Sequence, residues 1–307
     1  MVVAGEALID LVPTADGLLA AYDGGGNFNA ARTIARLGQP VCFLGRLSTD
    51  RYGRRLERRL SDDGVDTSTV VHTGDPTTLA LAELNDEGAA TYGFYSEGTS
   101  APGLTPAAAL AALPARTEVI YTGGLGLALE PMALALDALL HVLAERALVV
   151  VDPNFRPGAA RNEPTYRTRL VAVFERADVL KLSDHDVTLL VPGQDPRDAA
   201  RTFCNAGPAA VLLTCGGAGA VAFTATGATE IAAPPVRIAD TIGAGDAFGG
   251  AFVAWWMAQG LRARDLHDHD AVVQATTFAC LVAAKTCERT GASPPFASEL
   301  PEPLTAA

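Results

Sequence analysis

The chain has little with which to hold an anionic polymer. Its 307 residues carry 23 lysines and arginines against 35 aspartates and glutamates, a formal charge of −12. Nucleic acids and anionic membranes are bound by clustered cations that release counterions, so neither is expected as a partner. The one dense basic stretch, RRLERRL from Arg54 to Leu60, sets Leu56 and Leu60 at helical spacing with Glu57 among the arginines, the pattern of a solvated helix face. Lysine is nearly missing, with only Lys181 and Lys285. Cysteine is scarce: Cys42, Cys204, Cys215, Cys280 and Cys287 form no CxxC pair and leave one over, which disfavours a disulfide framework and implies a reducing cytosol. No uncharged apolar run reaches membrane-spanning length. The start, MVVAGEALIDLV, has no basic residue before Glu6 and reads as a first strand rather than a signal peptide, so a cytoplasmic location is expected. There is also no GxxxxGK[ST] loop, and GGGNFNAARTIARLG has Asn29 where a dinucleotide fingerprint needs its third glycine.

What is present describes a globular enzyme. The length suits one large domain spanning 1–307 with a small appendage. Short apolar runs, VCFLG, EVIYTG, LVVVDPN, DVLKLS and AVLLTCGG, alternate with amphipathic segments. That alternation predicts an α/β fold, a doubly wound and mainly parallel sheet. TTLALAEL and AATYGFY, joined by Asn85-Asp86-Glu87-Gly88, break the pattern and predict a β-hairpin. With LIDLVPTADG they are expected to form a small β lid of about 10–22 and 77–97. Ligands of such sheets bind beyond the carboxyl ends of the strands, so Asp10, Asp152, Asn154, Arg156, Lys181, Ser183 and Thr214 should converge on one crevice.

The stretch DTIGAGDAFGGAF, Asp240 to Phe252, packs four glycines and an isolated carboxylate, Asp246, around the start of an apolar helix read from Ala247. Amides at a helix start form an anion site, and Gly243 and Gly245 let an anion approach closely. Asp246 there either takes the proton of a substrate hydroxyl or caps the helix. Asn29 either bonds sugar hydroxyls or caps its own helix, and Lys181 either contacts phosphate or ends a strand in solvent. HDH at 267–269 reads as a solvated loop rather than a metal site.

These residues resemble the ribokinase-like (PfkB) sugar kinases. DTIGAGDAFGGAF is similar to their C-terminal signature D-T-x-G-A-G-D-x-F at every specified position, and GGGNFNAARTIARLG with FLGRLSTDRYG is similar to the N-terminal one. The resemblance implies Asp246 as catalytic base with Gly243, Ala244 and Gly245 as anion hole. VDPNFRP, KLSDHD, FYSEGTS and TGGLGLALEP resemble the bacterial fructokinase branch, with Ser96, Ser100 and Ala101 departing from its FYREGTAD form. By that resemblance Asp10, Gly24, Gly25, Asn29, Phe94, Asp152 and Asn154 hold the sugar, while Arg156 faces sugar or phosphates. Lys181, Ser183, Thr214, Gly216 and Gly219 lie along ATP. Asp186 organises Mg²⁺ through water, and Asp240 with the Ile242 carbonyl offers a K⁺ site.

The implied activity is transfer of the γ-phosphoryl group from MgATP to a primary hydroxyl, with fructose as expected sugar. The rivals are a 2-keto-3-deoxygluconate kinase, a ribokinase or nucleoside kinase, a silent sugar-binding regulator and a nicotinamide-dependent oxidoreductase. A homodimer through the lid, near Leu79, Leu81 and Tyr92, is compatible with the apolar pattern of the hairpin.

Overall fold

The computed structural model describes residues 1–14, 16–84 and 90–301. In chain order the strands are β1 (Val2–Ala4), β2 (Leu8–Pro13), β3 (Leu19–Gly24), β4 (Cys42–Leu44), β5 (Arg46–Ser48), β6 (Val71–Thr73) and β7 (Leu79–Leu84). They continue as β8 (Ala90–Tyr95), β9 (Val119–Gly123), β10 (Leu148–Asp152), β11 (Val179–Ser183), β12 (Ala210–Thr214), β13 (Ala220–Thr224) and β14 (Gly227–Ile231). The α-helices are α1 (Gly26–Arg36), α2 (Arg51–Asp62), α3 (Pro106–Ala112), α4 (Met132–Leu143) and α5 (Glu163–Glu175), then α6 (Asp184–Leu190), α7 (Pro196–Ala206), α8 (Ala244–Ala258) and α9 (His269–Cys287).

An eight-stranded sheet runs in the order β14-β13-β12-β11-β10-β9-β1-β4, parallel from β12 to β4 and antiparallel at β13 and β14. Every residue of β10 is buried, because helices cover both faces and a two-sided strand is apolar throughout. Alternate residues feed two cores. Ile120, Val149, Val151 and Leu180 pack with α4, α5 and α7, whereas Val119, Tyr121, Val150 and Val179 pack with α1, α8 and α9.

A second, four-stranded sheet is ordered β3-β2-β7-β8. Here β7 and β8 pair antiparallel, as the hairpin pattern predicts, while their turn at 85–89 lies outside the described residues. MVVAGEALIDLV is not one strand. It breaks at Gly5 and the buried Glu6 into β1, which joins the large sheet, and β2, which joins the small one. The reason is local: Glu6 turns inward to accept from the Gly26 and Gly126 amides and the Asn27 side chain. Among the apolar side chains of this sheet, Leu19 and Tyr95 are more than half exposed, whereas Leu79 and Leu81 are half-buried. Nothing is described of the Tyr92 side chain.

The segment after α9 is tied back to α1 by charge. Arg32 and Arg36 both bind Asp63, at 2.6 and 2.8 Å, with all three side chains buried. Arg32 also donates to the Ala292 carbonyl and Arg36 to that of Pro294. Asp63→Ala would strand two guanidinium groups away from water, so it is expected to lower stability by about 3–5 kcal/mol in urea unfolding. A loss below about 1 kcal/mol would show that the cluster is solvated like a surface pair.

Candidate active site

Helix α8 starts at Ala244, three residues before the apolar pattern suggests. Gly243 is its N-cap, in the left-handed region at φ 75°. A β-carbon on Gly243 would lie 2.5 Å from that of Ala292, so both conformation and space require glycine. The Ala244 amide bonds the Thr241 carbonyl at 3.2 Å, closing the turn. Asp246 is therefore the third residue of the helix and not its cap. Its Oδ2 accepts from Asn29 Nδ2 at 2.9 Å. Asn29 lies inside α1, which removes the capping alternative for that residue as well.

A cavity of about 880 Å³ opens at the carboxyl ends of the parallel strands. Gly243, Ala244, Gly245 and Asp246 line it. Asp10 and Phe94 reach it from the small sheet, beside Gly25, Asn29, Asn154 and Arg156. Lys181, Ser183, Asp186, Thr214, Gly216, Gly219 and Ile242 line it as well.

Three expected residues do not line this cavity. Gly24 backs Asp10, since a β-carbon there would lie 2.0 Å from Asp10 Oδ2. Asp240 shapes the turn instead, accepting from the amides of Ile242 at 3.0 Å and Gly291 at 2.8 Å. Asp152 is buried behind the wall, where its Oδ2 accepts from Lys181 Nζ at 2.9 Å and Tyr121 Oη at 3.3 Å. Lys181 is itself almost fully buried, so it does not end its strand in solvent. Ser183 caps α6, accepting from the Asp186 amide, while the Asp186 carboxylate accepts in return from the Ser183 amide and also from that of Phe155.

HDH at 267–269 is structural. Both ring nitrogens of His269 bond threonine hydroxyls, on Thr224 and Thr229, and Asp268 caps α9. The five cysteines are free thiols.

Some wall residues escaped the sequence reading. Glu6 is one, although its isolation in an apolar run marks it. Val236, Ile238, Ala283 and Ala284 form an apolar stretch of wall that only the packing of α9 reveals.

Electrostatics concentrate on the carboxylates. Burial pushes Asp246 up to about 7, against the pull of the Asn29 hydrogen bond, and Asp152 adds to the rise. Burial, then the charge of Glu6, pushes Asp10 up to about 6. Burial also works against the Lys181 ammonium, but Asp152, Asp186 and Asp246 outweigh it and hold the group protonated. A carboxylate pushed up toward neutrality, beside a helix N-terminus and facing the cavity, has the properties required of a proton acceptor.

Residues 1–299 match the pfkB family carbohydrate kinases, and the chain belongs to that family. It is a phosphotransferase of the kind that acts on a sugar hydroxyl. Among curated proteins it is 34% identical to a fructokinase of Rhizobium leguminosarum bv. trifolii, over 81% of this chain and 77% of that one. It is 31% identical to fructokinase-1 of Oryza sativa subsp. japonica, over 96% and 94%. A solved fructokinase from Xylella fastidiosa with bound ATP superposes with a TM-score of 0.85 at 25% identity, covering 95% of this chain and 93% of that one.

If Asp246 accepts a proton, turnover should rise with pH through a midpoint of about 7, because the ionised form grows as pH increases. Asn29→Leu removes the donor that favours that form, so the midpoint should move upward in a pH profile of kcat. A downward move would contradict the assignment.

Proposed function

We propose that the protein is a fructokinase, transferring the γ-phosphoryl group of MgATP to the 6-hydroxyl of D-fructose. The observation that carries this reading is Asp246 in the first turn of α8, bound to Asn29 and facing a cavity that it shares with Asp10, Asn154 and Lys181. Asp10, Gly25, Asn29, Phe94, Asn154 and Arg156 surround the sugar, with the small sheet as lid. Asp246 takes the hydroxyl proton as the phosphoryl group moves in line, and the Gly243–Gly245 turn with the α8 N-terminus stabilises the charge on that group. Most of the rate then comes from positioning and electrostatics. ATP extends past Lys181, Ser183, Thr214, Gly216 and Gly219, with its base against Ala283, Ala284 and Val236.

Mg²⁺ neutralises phosphate charge when bound. Asp186 already accepts from the Ser183 amide and hydroxyl and from the Phe155 amide, which suits an outer role in which it would hold the ion through water. The two amide bonds of Asp240 bring the Ile242 and Gly291 segments together, and a K⁺ ion would draw on its remaining lone pairs with the Ile242 carbonyl. Work in a reducing cytoplasm, and a second copy of the chain meeting the exposed apolar residues of the small sheet, complete the reading.

A 2-keto-3-deoxygluconate kinase is the second reading. Arg156 favours it, as a cation on the cavity wall that a substrate carboxylate would bind. ADP release with MgATP and each of D-fructose, 2-keto-3-deoxygluconate and D-ribose separates the two. Fructose should be turned over best, and Asp246→Asn should cut that turnover by about 10²–10⁴-fold. EDTA should abolish it and added Mg²⁺ restore it. Turnover of the keto acid alone would move the substrate and keep the base, whereas full activity in Asp246→Asn would refute the base.

A further inference from the structure

Behind Asp246 lies a second, much smaller space of about 10 Å³, bordered by Asn27, Tyr121, Asp152, Asn154 and Asp246. That is room for about one water. Two acceptor atoms of its lining residues, Asp152 Oδ1 and Asn27 Oδ1, are buried and have no hydrogen-bond partner in the protein. The residues are 3% and 1% exposed. Their other polar atoms are engaged: Asn27 Nδ2 donates to Glu6 and to the Gly123 carbonyl, and Asp152 Oδ2 accepts from Lys181 and Tyr121. Two unsatisfied acceptors beside one space are costly, and a group that donates twice relieves both. Water is the smallest such group. It would still have lone pairs for a donor such as the Asn154 amide.

We propose that this space holds one water bonded to Asp152 Oδ1 and Asn27 Oδ1 beside Asp246, and that the buried Asp152–Lys181 ion pair is a positioning device which sets the charge state of Asp246. Neither member of the pair needs to touch the hydroxyl that reacts. Other ionisable groups converge on this part of the fold: Glu6 before β2, Asp10 on β2, Tyr121 on β9, Arg156 after β10 and Asp186 on α6. Among them Lys181 is the buried cation, and its ammonium lies 3.0 Å from where a β-carbon on Gly245 would stand, directly under the turn that leads to Asp246. Asp152 opposes it. The two charges act on Asp246 with opposite sign, and their balance decides how readily the base ionises.

The inference rests on Asp246 being the base, and its test separates the two ideas. Asp152→Asn keeps the shape and removes the carboxylate bonded to Lys181, leaving that charge less opposed, so the acid limb of the kcat profile should move down by about one pH unit. Lys181→Met removes the cation and should move it up. Profiles are read at saturating ATP, so that weaker nucleotide binding enters KM and not the midpoint. Opposite shifts cannot arise from general loss of stability. An active parent whose variants keep its midpoint, or shift it in one direction together, would overturn the positioning role and leave the kinase reading intact; a parent silent with every sugar would instead overturn the kinase reading. A crystal structure of the unmodified protein gives a second readout that needs no variant to fold. One ordered water within hydrogen-bond distance of Asp152 Oδ1 and Asn27 Oδ1 supports the proposal, and a dry or cation-filled space refutes it.

Discussion

Keeping one carboxylate largely out of water, at the start of an apolar helix, is the constraint on which this architecture depends. Asp246 stands where α8 meets the cavity, and an isolated charge there is unfavourable unless its surroundings answer it. They do so from several elements. Asn29 reaches across from α1, Lys181 lies beneath the turn, and the first-turn amides of α8 add their dipole. The glycines of the turn are a consequence of this crowding. Gly245 sits over the Lys181 ammonium, Gly243 abuts Ala292, and Gly26 faces Asp246 Oδ1.

The same constraint extends outward. Ala292 is held against Gly243 by a segment whose carbonyls are clamped by Arg32 and Arg36, and these arginines are themselves joined at Asp63. Helix α1 therefore serves both ends of the arrangement, with Asn29 toward Asp246 and its arginines toward the segment behind the turn. The small sheet is anchored differently. It starts where Glu6 breaks the first apolar run, and that residue also fixes the amides of Gly26 and Gly126. The small sheet, the glycine turn and Asp246 are thus linked through buried polar side chains rather than through apolar contact alone.

Much of this could be read from residues alone. Short apolar runs with a covering helix after each gave the parallel sheet its strands, because a strand buried on both faces has no polar side to hide. The alternation in TTLALAEL and AATYGFY marked the second sheet for the opposite reason, since one of its faces is open. The glycine turn and Asp246 were legible because few other structures require so little side chain beside a carboxylate. What stayed hidden depends on contacts distant in sequence. Lys181 is paired with a residue 29 positions away, and Asn29 with one 217 positions away. The split of MVVAGEALIDLV is not legible in the pattern, because its apolar run continues across Gly5 while the cause lies in Asn27, Gly26 and Gly126. The Ala283 and Ala284 wall is invisible to pattern because helix α9 is apolar on more than one side.

The central claim, that Asp246 is the group that takes the sugar proton, is tested most directly by a crystal structure with D-fructose and a nonhydrolysable MgATP analogue bound together. The account predicts the 6-hydroxyl at about 2.6–3.2 Å from the Asp246 carboxylate, with the terminal phosphate over the Gly243–Gly245 turn. A sugar bound with no hydroxyl in reach of Asp246, or with another carboxylate nearest the hydroxyl that faces the phosphate, would contradict it.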